Sequence, residues 1–463
     1  MKFFKVSGSI LLTLFLSFAV SCGTSGDSVS NSNSAATAAA AAINPQYSLD
    51  DLSVEKDDAI SEDLPNGYKD YKGRIIRVLP SSGMTWRNYS KPIYFDLGKY
   101  SGKHIITVSM SVMTESPLGN SDGKINWMIL NSGSYDQFSD EAYNVSSGWT
   151  DIQFTKTIEL DGSKERRIFI DGLNENKGLI DLTLYIRNFQ VKVEKYYYYM
   201  ALTFDDGPSD MTGALLDKLK ELNIKATFFV VGMRIDALDP EFDARLNSVQ
   251  REDKKKARQA IIKRMVNEGH DVANHSYTHN YLGGGKLDGK DGIDKGLSPG
   301  DILYLPGFSS RQYPLSEEAI LKELGSTQDA IQQAVYGNDA SRPAVSRYFR
   351  VPFSSDTGKA VNLLNVVKSL NLPLIYGEPS NDYNPGSTPQ MIADTIHKQR
   401  VPWGISLNYD HQWSPNILAA LDILVPMMDN SAFRFTSVSD LVQKREKALT
   451  PGNSYYSLNP DLE

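Results

Sequence analysis

The 463-residue sequence has a single cysteine, Cys22, so no disulfide can form within the chain. It also lacks an excess of positive charge. Lysine and arginine number 48 against 56 acidic residues, for a formal net charge of −8. Without a basic footprint, nucleic acid is not an expected partner. Histidine is scarce, six in all, so two that fall close together carry information. A long membrane-spanning run is missing too. Residues 10–20 are apolar and follow Lys2 and Lys5, but the run is short and reads as the core of a secretory leader. What is present is ordinary globular composition, 41% hydrophobic and 22% charged, over a length that asks for two or three domains.

The leader, residues 1–22, ends on Ala19-Val20-Ser21-Cys22. This resembles a bacterial lipobox with Ala19 where Leu is usual. The likeness implies a lipidated Cys22 and a protein exported across the cytoplasmic membrane. It would be held at the cell envelope or surface by that anchor alone; a plain cleaved leader is the other reading. Residues 23–65, rich in Ser, Asn, Ala and Gly and then acidic, bury too little to fold and read as a tether.

Residues 66–196 have β grammar. In 104–114, Ile106, Val108, Met110 and Val112 alternate with polar residues, one wet face and one buried. Similar runs recur between turn signals at 121–124 and 161–164, which predicts an all-β sandwich of the jelly-roll kind. In 181–193 the apolar phase switches between Ile186 and Phe189, which predicts a bulge or bend near Arg187-Asn188. From 197 to 450 strands alternate with helices. Strands are expected at 200–204, 226–232, 270–274, 348–351, 372–376, 404–407 and 433–436, and helices at 211–222, 251–268 and 316–334. That order predicts parallel βα units and an α/β, barrel-like fold. Residues 234–253 and 281–312 read as long insertions, and 451–463 as a C-terminal tail.

Three stretches of this second part carry chemistry. TFDDGP (203–208) sets two acids side by side at a strand end. Neighbouring side chains on an extended strand point apart, so one acid could hold a metal while the other faces a reactant; turn chemistry is the competing reading. NHSYTH (274–279) spaces His275 and His279 four apart. On a helical turn they would share a face and, with one carboxylate, make a three-ligand site with an open position. YFRVPF (348–353) sets Arg350 in an apolar run, where a carboxylate partner is expected. An arginine against Asp205 would orient it and hold down its pKa.

Together these stretches, supported by ATFFVVG (226–232) and FRFTSVSDL (433–441), resemble the polysaccharide deacetylase family, also called NodB-homology or carbohydrate esterase family 4. The likeness covers about 198–447. It implies a distorted (β/α) barrel with its site at the C-terminal strand ends. It implies Asp206, His275 and His279 as ligands of a divalent metal, zinc most often, and Asp205 as general base toward the attacking water. Arg350 would orient Asp205, and the backbone N–H of Phe353, where the family usually has Tyr, would stabilise the oxyanion. Asp382-Tyr383 stands where the family often has Asp-Trp. The family's later Leu-x-His, whose His is the general acid, aligns with Leu407-Asn408-Tyr409, while His411 lies two residues on. Either Tyr409 replaces the acid, or a local shift lets His411 serve. A displaced acid is easier to reconcile with O-acetyl esters, since an amine must be protonated to leave.

The resemblance implies metal-dependent hydrolysis of acetyl groups from a polysaccharide, O-acetyl xylan-like or an N-acetylglucosamine polymer, by a monomer. The alternative is a non-catalytic glycan-binding surface protein on a degenerate barrel. Residues 66–196 look similar to jelly-roll carbohydrate-binding modules, with Trp86 and Tyr89 as sugar-stacking candidates; Trp127 and Trp149 read as core.

Overall fold

The computed structural model describes residues 47–48, 61–63, 76–78, 100–114, 124–131, 134–137, 143–144, 148–161, 166–173, 184–240, 242–279, 282, 316–339, 341–343, 345–354 and 361–460. They fall into two compact units divided between Glu194 and Lys195.

The first unit is antiparallel β wherever it is described. One sheet pairs Ser101–Thr114 with Thr150–Asp161 over twelve positions and continues through Leu184–Lys195 to short strands. A second sheet centres on Lys124–Asn131 paired with Arg166–Leu173. The alternation expected at 104–114 is borne out: Ile106, Val108, Met110 and Val112 are buried. The phase switch is there too. Ile186, Phe189, Val191 and Val193 are buried, and between the two phases Asn188 takes a left-handed φ of 54°. Arg187 lies 4.1 Å over the ring of half-buried Trp149. Cys22, Trp86, Tyr89, the leader and the 283–312 part of the second insertion lie outside the described residues. So does most of the segment read as a tether, but that reading is corrected at its far end: Tyr47–Ser48 and Ser61–Asp63 are strands, paired antiparallel with Leu184–Lys195 and Ile76–Val78.

The second unit is a parallel barrel. Its strands are β1 (Tyr198–Gly207), β2 (Thr227–Val230), β3 (Asp271–Asn274), β4 (Leu374–Ile375), β5 (Glu378–Pro379), β6 (Ile405–Tyr409), β7 (Phe433–Thr436) and β8 (Ser454–Tyr455). Its main helices are α1 (Thr212–Glu221), α2 (Ser248–Asn267), α3 (Glu317–Tyr336), α4 (Val361–Ser369), α5 (Pro389–Gln399), α6 (Ile417–Asn430) and α7 (Val438–Lys444). Pairing runs from β6 through β1 and β2 to β3, all parallel. A single bridge residue, Phe349, joins β3 to β4. The chain then passes from β4 to β5, which pairs in parallel with β6.

Strand phase explains the layers. Met200, Leu202 and Phe204 of β1 face outward and pack on Leu215, Leu216, Ile262 and Met265 of the helices. Ala201 faces inward against Phe229, Ala273, Ile375 and Ile405 from other strands. Burying each large side chain contributes about 1.5–3 kcal/mol. Helix starts follow local rules: Asn247 and Gln250 form a capping box for α2, and Ser316 caps α3.

Three expectations are corrected. The expected strand over 348–351 is only the bridge at Phe349. The segment read as an insertion, 234–253, is packed structure that enters α2. The segment read as a tail supplies β8, which pairs with β4 and buries Tyr455 and Leu458; the short β4 needs a partner on its open side.

Candidate active site

The strand ends gather the singled-out residues. At the end of β1 the register with β2 slips between Asp205 and Gly207, leaving Asp206 as a bulge with φ 70°. The expectation that neighbouring acids point apart therefore fails here. The bulge turns the second carboxylate back, and both acids face one cavity: His275 Nε2 lies 3.8 Å from Asp205 Oδ2 and 3.6 Å from Asp206 Oδ1. Gly207 follows because a Cβ there would collide with the Asp410 carboxylate.

His275 and His279 are not on a helical turn. Residues 275–279 are an irregular loop after β3, with left-handed φ at Ser276 (65°) and His279 (55°). The loop is held by its polar neighbours. The fully buried Glu323 of α3 accepts from the backbone N–H of Tyr277 (2.9 Å) and Thr278 (3.0 Å) and from the Thr278 hydroxyl (2.8 Å). Asn274 Oδ1 accepts from Ser276 N. His275 Nδ1 donates to the Arg350 carbonyl at 2.8 Å, which leaves the Nε2 lone pair facing the cavity. Burial, with His279 beside it, pushes His275 down to about 3, so its ring is neutral near pH 7.

These residues fit a metal. One donor atom from each of Asp206, His275 and His279 lies within 4.8 Å of the others. Asp206 Oδ1 is buried and accepts no hydrogen bond, although His279 Nε2 is 3.0 Å away. A carboxylate oxygen left this way, facing two imidazoles, has the donor set of a cation site with room for a further ligand. Burial opposes ionisation of Asp206, but His279, Arg234 and His275 hold its carboxyl far below the usual range.

Asp205 is placed for a different task. Arg350 Nη1 donates to its Oδ1 at 2.6 Å and to the Thr203 hydroxyl at 2.8 Å. Nε and Nη2 of Arg350 donate to the carbonyls of Ile375 and Tyr376, and the guanidinium lies 4.1 Å over Phe229. The expected partnership is present, but its expected effect on pKa is outweighed. Burial pushes Asp205 up to about 7 despite Arg350, and Asp206 adds to the rise.

The remaining candidates sit around this pair. Phe353 has φ 61° and its ring meets His279 edge-on at 4.7 Å. Asp382, after β5, accepts from Tyr409 N (2.9 Å) and Ser380 Oγ (3.0 Å), and burial pushes it up to about 6. Tyr409 is the register partner of Asp205 across β1 and β6. Burial and the charges of Asp205, Asp206 and Asp382 raise its phenol, so it stays protonated. His411 Nδ1 accepts from Trp413 N at 3.2 Å, its ring packs on Phe242 and Trp413, and burial with Arg234 pushes it down to about 4.

Three supporting residues went unread in the sequence. Buried Arg234 donates to the Asp206 carbonyl and pairs with Asp239 at 2.8 Å. Asp410 accepts from Ser209 Oγ and Thr212 Oγ1 and donates its N–H to the Asp205 carbonyl, clasping the turn after the two acids. Glu323 is the third. Arg234 follows an apolar strand as Arg350 does, and Glu323 sits in the apolar phase of α3 beside Ala319, Ile320 and Leu324. A charge on a buried face was the available signal.

Residues 194–375 match the model of the polysaccharide deacetylase family. The chain is 24% identical over 256 residues to a bifunctional xylanase/deacetylase of Pseudobutyrivibrio xylanivorans, across 55% of this chain and 32% of that protein. It is 40% identical over 97 residues to a peptidoglycan-N-acetylglucosamine deacetylase of Bacillus cereus, across 19% of this chain and 28% of the relative. A family 4 acetyl xylan esterase from Clostridium thermocellum, solved with a cobalt ion, is 26% identical with a TM-score of 0.41, across 56% of this chain and 99% of its own. The chain spans about a third of the length of the curated relatives it matches. With three motifs in order and a family match over the strands that carry them, residues 194–375 make up a polysaccharide deacetylase domain within this chain.

Proposed function

We propose that the second unit hydrolyses acetyl groups from a polysaccharide, with Asp206, His275 and His279 holding a divalent metal and Asp205 acting as base. The observation that carries this is the bulge at Asp206, which sets an unpartnered carboxylate oxygen against two imidazoles beside an arginine-held carboxylate. When bound, a divalent cation, zinc for this donor set, supplies Lewis acidity to water and to the acyl oxygen.

The chain's own groups do the rest. Arg350 fixes Asp205 Oδ1, so Oδ2 is the oxygen that takes a proton from the attacking water. An affinity for protons near 7 lets Asp205 accept that proton and pass it on near neutral pH. The Phe353 backbone N–H is assigned to the acyl oxygen, supported by its ring contact with His279. Tyr409, a protonated phenol, and His411, whose Nε2 carries the proton when Nδ1 accepts, are the two donors for the leaving group. The substrate is O-acetylated xylan-like polysaccharide or an N-acetylglucosamine polymer.

The same proposal includes export and lipid anchoring through Cys22, checked by membrane partitioning of wild type against Cys22→Ser. It includes sugar binding by the first unit, checked by retention of that unit on insoluble polysaccharide. The central test is acetate release from acetylated xylan, chitooligosaccharides and peptidoglycan, with zinc and with chelator, for wild type and Asp205→Asn. Release that chelator and Asp205→Asn abolish is expected; no release from any substrate would sink the reading.

A further inference from the structure

His411 lies two residues beyond the end of β6 and is held there by a part of the chain distant in sequence. Its ring packs against two aromatic neighbours. Phe242 has its ring centre 5.1 Å away and Trp413 3.9 Å away, and those two are 6.3 Å from each other, so different sides of the imidazole are covered. The Trp413 N–H donates to Nδ1 at 3.2 Å. A backbone N–H can only donate, so Nδ1 keeps its lone pair and the proton of the neutral ring sits on Nε2. Among the described residues Nε2 meets no protein partner and is not sealed from solvent. A neutral imidazole held this way is a hydrogen-bond donor for a developing negative charge.

Trp413 is a neighbour in sequence; Phe242 is not, and four buried charges hold it in place. Arg234 Nε donates to Asp239 Oδ2 at 2.8 Å, and Arg258 Nη1 of α2 donates to Asp243 Oδ2 at 2.7 Å and to the Arg234 carbonyl at 2.8 Å. Asp239 N donates to Asp243 Oδ2 at 3.0 Å, which ties the two pairs into one turn, and the N–H groups of Phe242 and Asp243 close that turn on the Asp239 carbonyl. Two buried ion pairs stabilise little beyond what apolar packing of the same volume would, but their geometry is directional. The turn they fix has two functional ends. Arg234 also donates to the Asp206 carbonyl, and its guanidinium lies 5.2 Å from the centre of the Phe242 ring. Phe242 and His411 border a cavity of only about 20 Å³, so the imidazole has no room to swing while the phenyl ring is present.

We propose that Phe242 is a positioning residue: it holds the His411 imidazole so that Nε2–H donates a hydrogen bond to the leaving oxygen or nitrogen of the substrate. The proposal rests on the deacetylase reading. In the step concerned the acetyl C–O or C–N bond breaks, its electron pair goes to the leaving atom, and that atom takes the proton that Asp205 drew from the attacking water. The Nε2–H donor lowers the charge on the leaving atom until that proton arrives. The consequence is selective, because a leaving group that carries negative charge well needs neither the donor nor Phe242.

The test uses the zinc-loaded full chain on acetylated xylan and N-acetylglucosamine oligomers, and on para-nitrophenyl acetate, whose phenolate leaves without a proton. Phe242→Ala should lower kcat on the deacetylated glycan by about tenfold or more, with KM within about threefold of wild type. On para-nitrophenyl acetate it should stay within about threefold. Phe242→Tyr keeps the ring and should stay within about threefold on both. Phe242→Leu keeps apolar volume without the ring; it should lose activity in the same direction, and it stands in if the alanine variant does not fold. In a His411→Ala background, Phe242→Ala should cost less than about twofold more, because the positioned group is gone. Nitrogen NMR of labelled histidines gives a readout apart from activity. The His411 signal, assigned by its loss in His411→Ala, should report the Nε2–H tautomer in wild type and an average of tautomers in Phe242→Ala. Equal losses on glycan and on para-nitrophenyl acetate overturn the proposal, as does a loss that adds in full to that of His411→Ala. A Phe242→Ala protein whose His411 signal matches wild type, or which deacetylates glycan as fast as wild type, overturns the positioning alone. A tautomer that loosens in Phe242→Ala, in a protein that releases no acetate from any glycan, overturns the deacetylase reading alone.

Discussion

Replacing Arg350 by methionine keeps much of the side-chain length and removes every polar contact of the guanidinium. Those contacts are Asp205 Oδ1 at 2.6 Å, the Thr203 hydroxyl at 2.8 Å and the carbonyls of Ile375 and Tyr376 at 2.8 and 3.3 Å. Breaking a buried ion pair usually costs about 3–5 kcal/mol, because the partner charge is stranded. Asp205 escapes much of that cost. Burial already pushes it up to about 7 with the arginine in place, so without Arg350 it takes a proton and is neutral at pH 7. Each unit of further rise leaves about tenfold less carboxylate below the new pKa, equivalent to about 1.4 kcal/mol. The methionine variant should therefore lose about tenfold or more in kcat/KM at pH 7 and recover toward wild type near pH 9. Lysine keeps the charge but not the fork that reaches two β4-side carbonyls, so its profile should fall between the two. The assay is kcat/KM from pH 5 to 9.5 on acetylated xylan, with circular dichroism to establish folding. A folded methionine variant whose acid limb coincides with that of wild type would refute the coupling of Arg350 to the base.

Glu323→Ala strands two buried backbone N–H groups of the histidine loop at about 1–3 kcal/mol each. It should lower both the unfolding midpoint and zinc affinity measured by chelator competition; an unchanged affinity would refute its hold on the loop. His270 is buried with Nδ1 accepting from Ala226 N, and burial pushes it down to about 4. Its folded-state pKa is depressed, so its contribution is present in full above the unfolded value near 6.5 and is lost as pH falls toward 4. The loss is on the order of 3 kcal/mol. His270→Gln should flatten that slope in urea unfolding between pH 6.5 and 4; a slope as steep as that of wild type would show the acid sensitivity lies elsewhere. His411→Ala should lower kcat by about a hundredfold, more than Tyr409→Phe. If only Tyr409→Phe is crippled, the phenol is the acid.

Periodicity carried most of the fold. Leu215, Leu216 and Leu219 lie on the buried face of α1, as their helical spacing predicts, and β7 occupies 433–436 as read. Strands with weak patterns were harder. At 348–351 the chain makes one bridge at Phe349, held by backbone bonds from Asn274 N to the Tyr348 carbonyl and from Ile375 N to the Phe349 carbonyl, and β4 is two residues long. The cysteine-poor, acidic composition excluded partner classes but placed nothing.

By itself the sequence determined which atoms could do chemistry: two acids at a strand end, two histidines four apart and an arginine in an apolar run, each residue type limiting what it can bind or donate. Their directions were decided by the tertiary structure. A one-residue bulge at Asp206 reverses the alternation of strand side chains, and a left-handed loop held by Glu323 brings together two histidines that no helix aligns. The balance at Asp205 was likewise tertiary. An arginine beside a carboxylate lowers its pKa in water, but how far burial opposes it depends on everything packed around the pair.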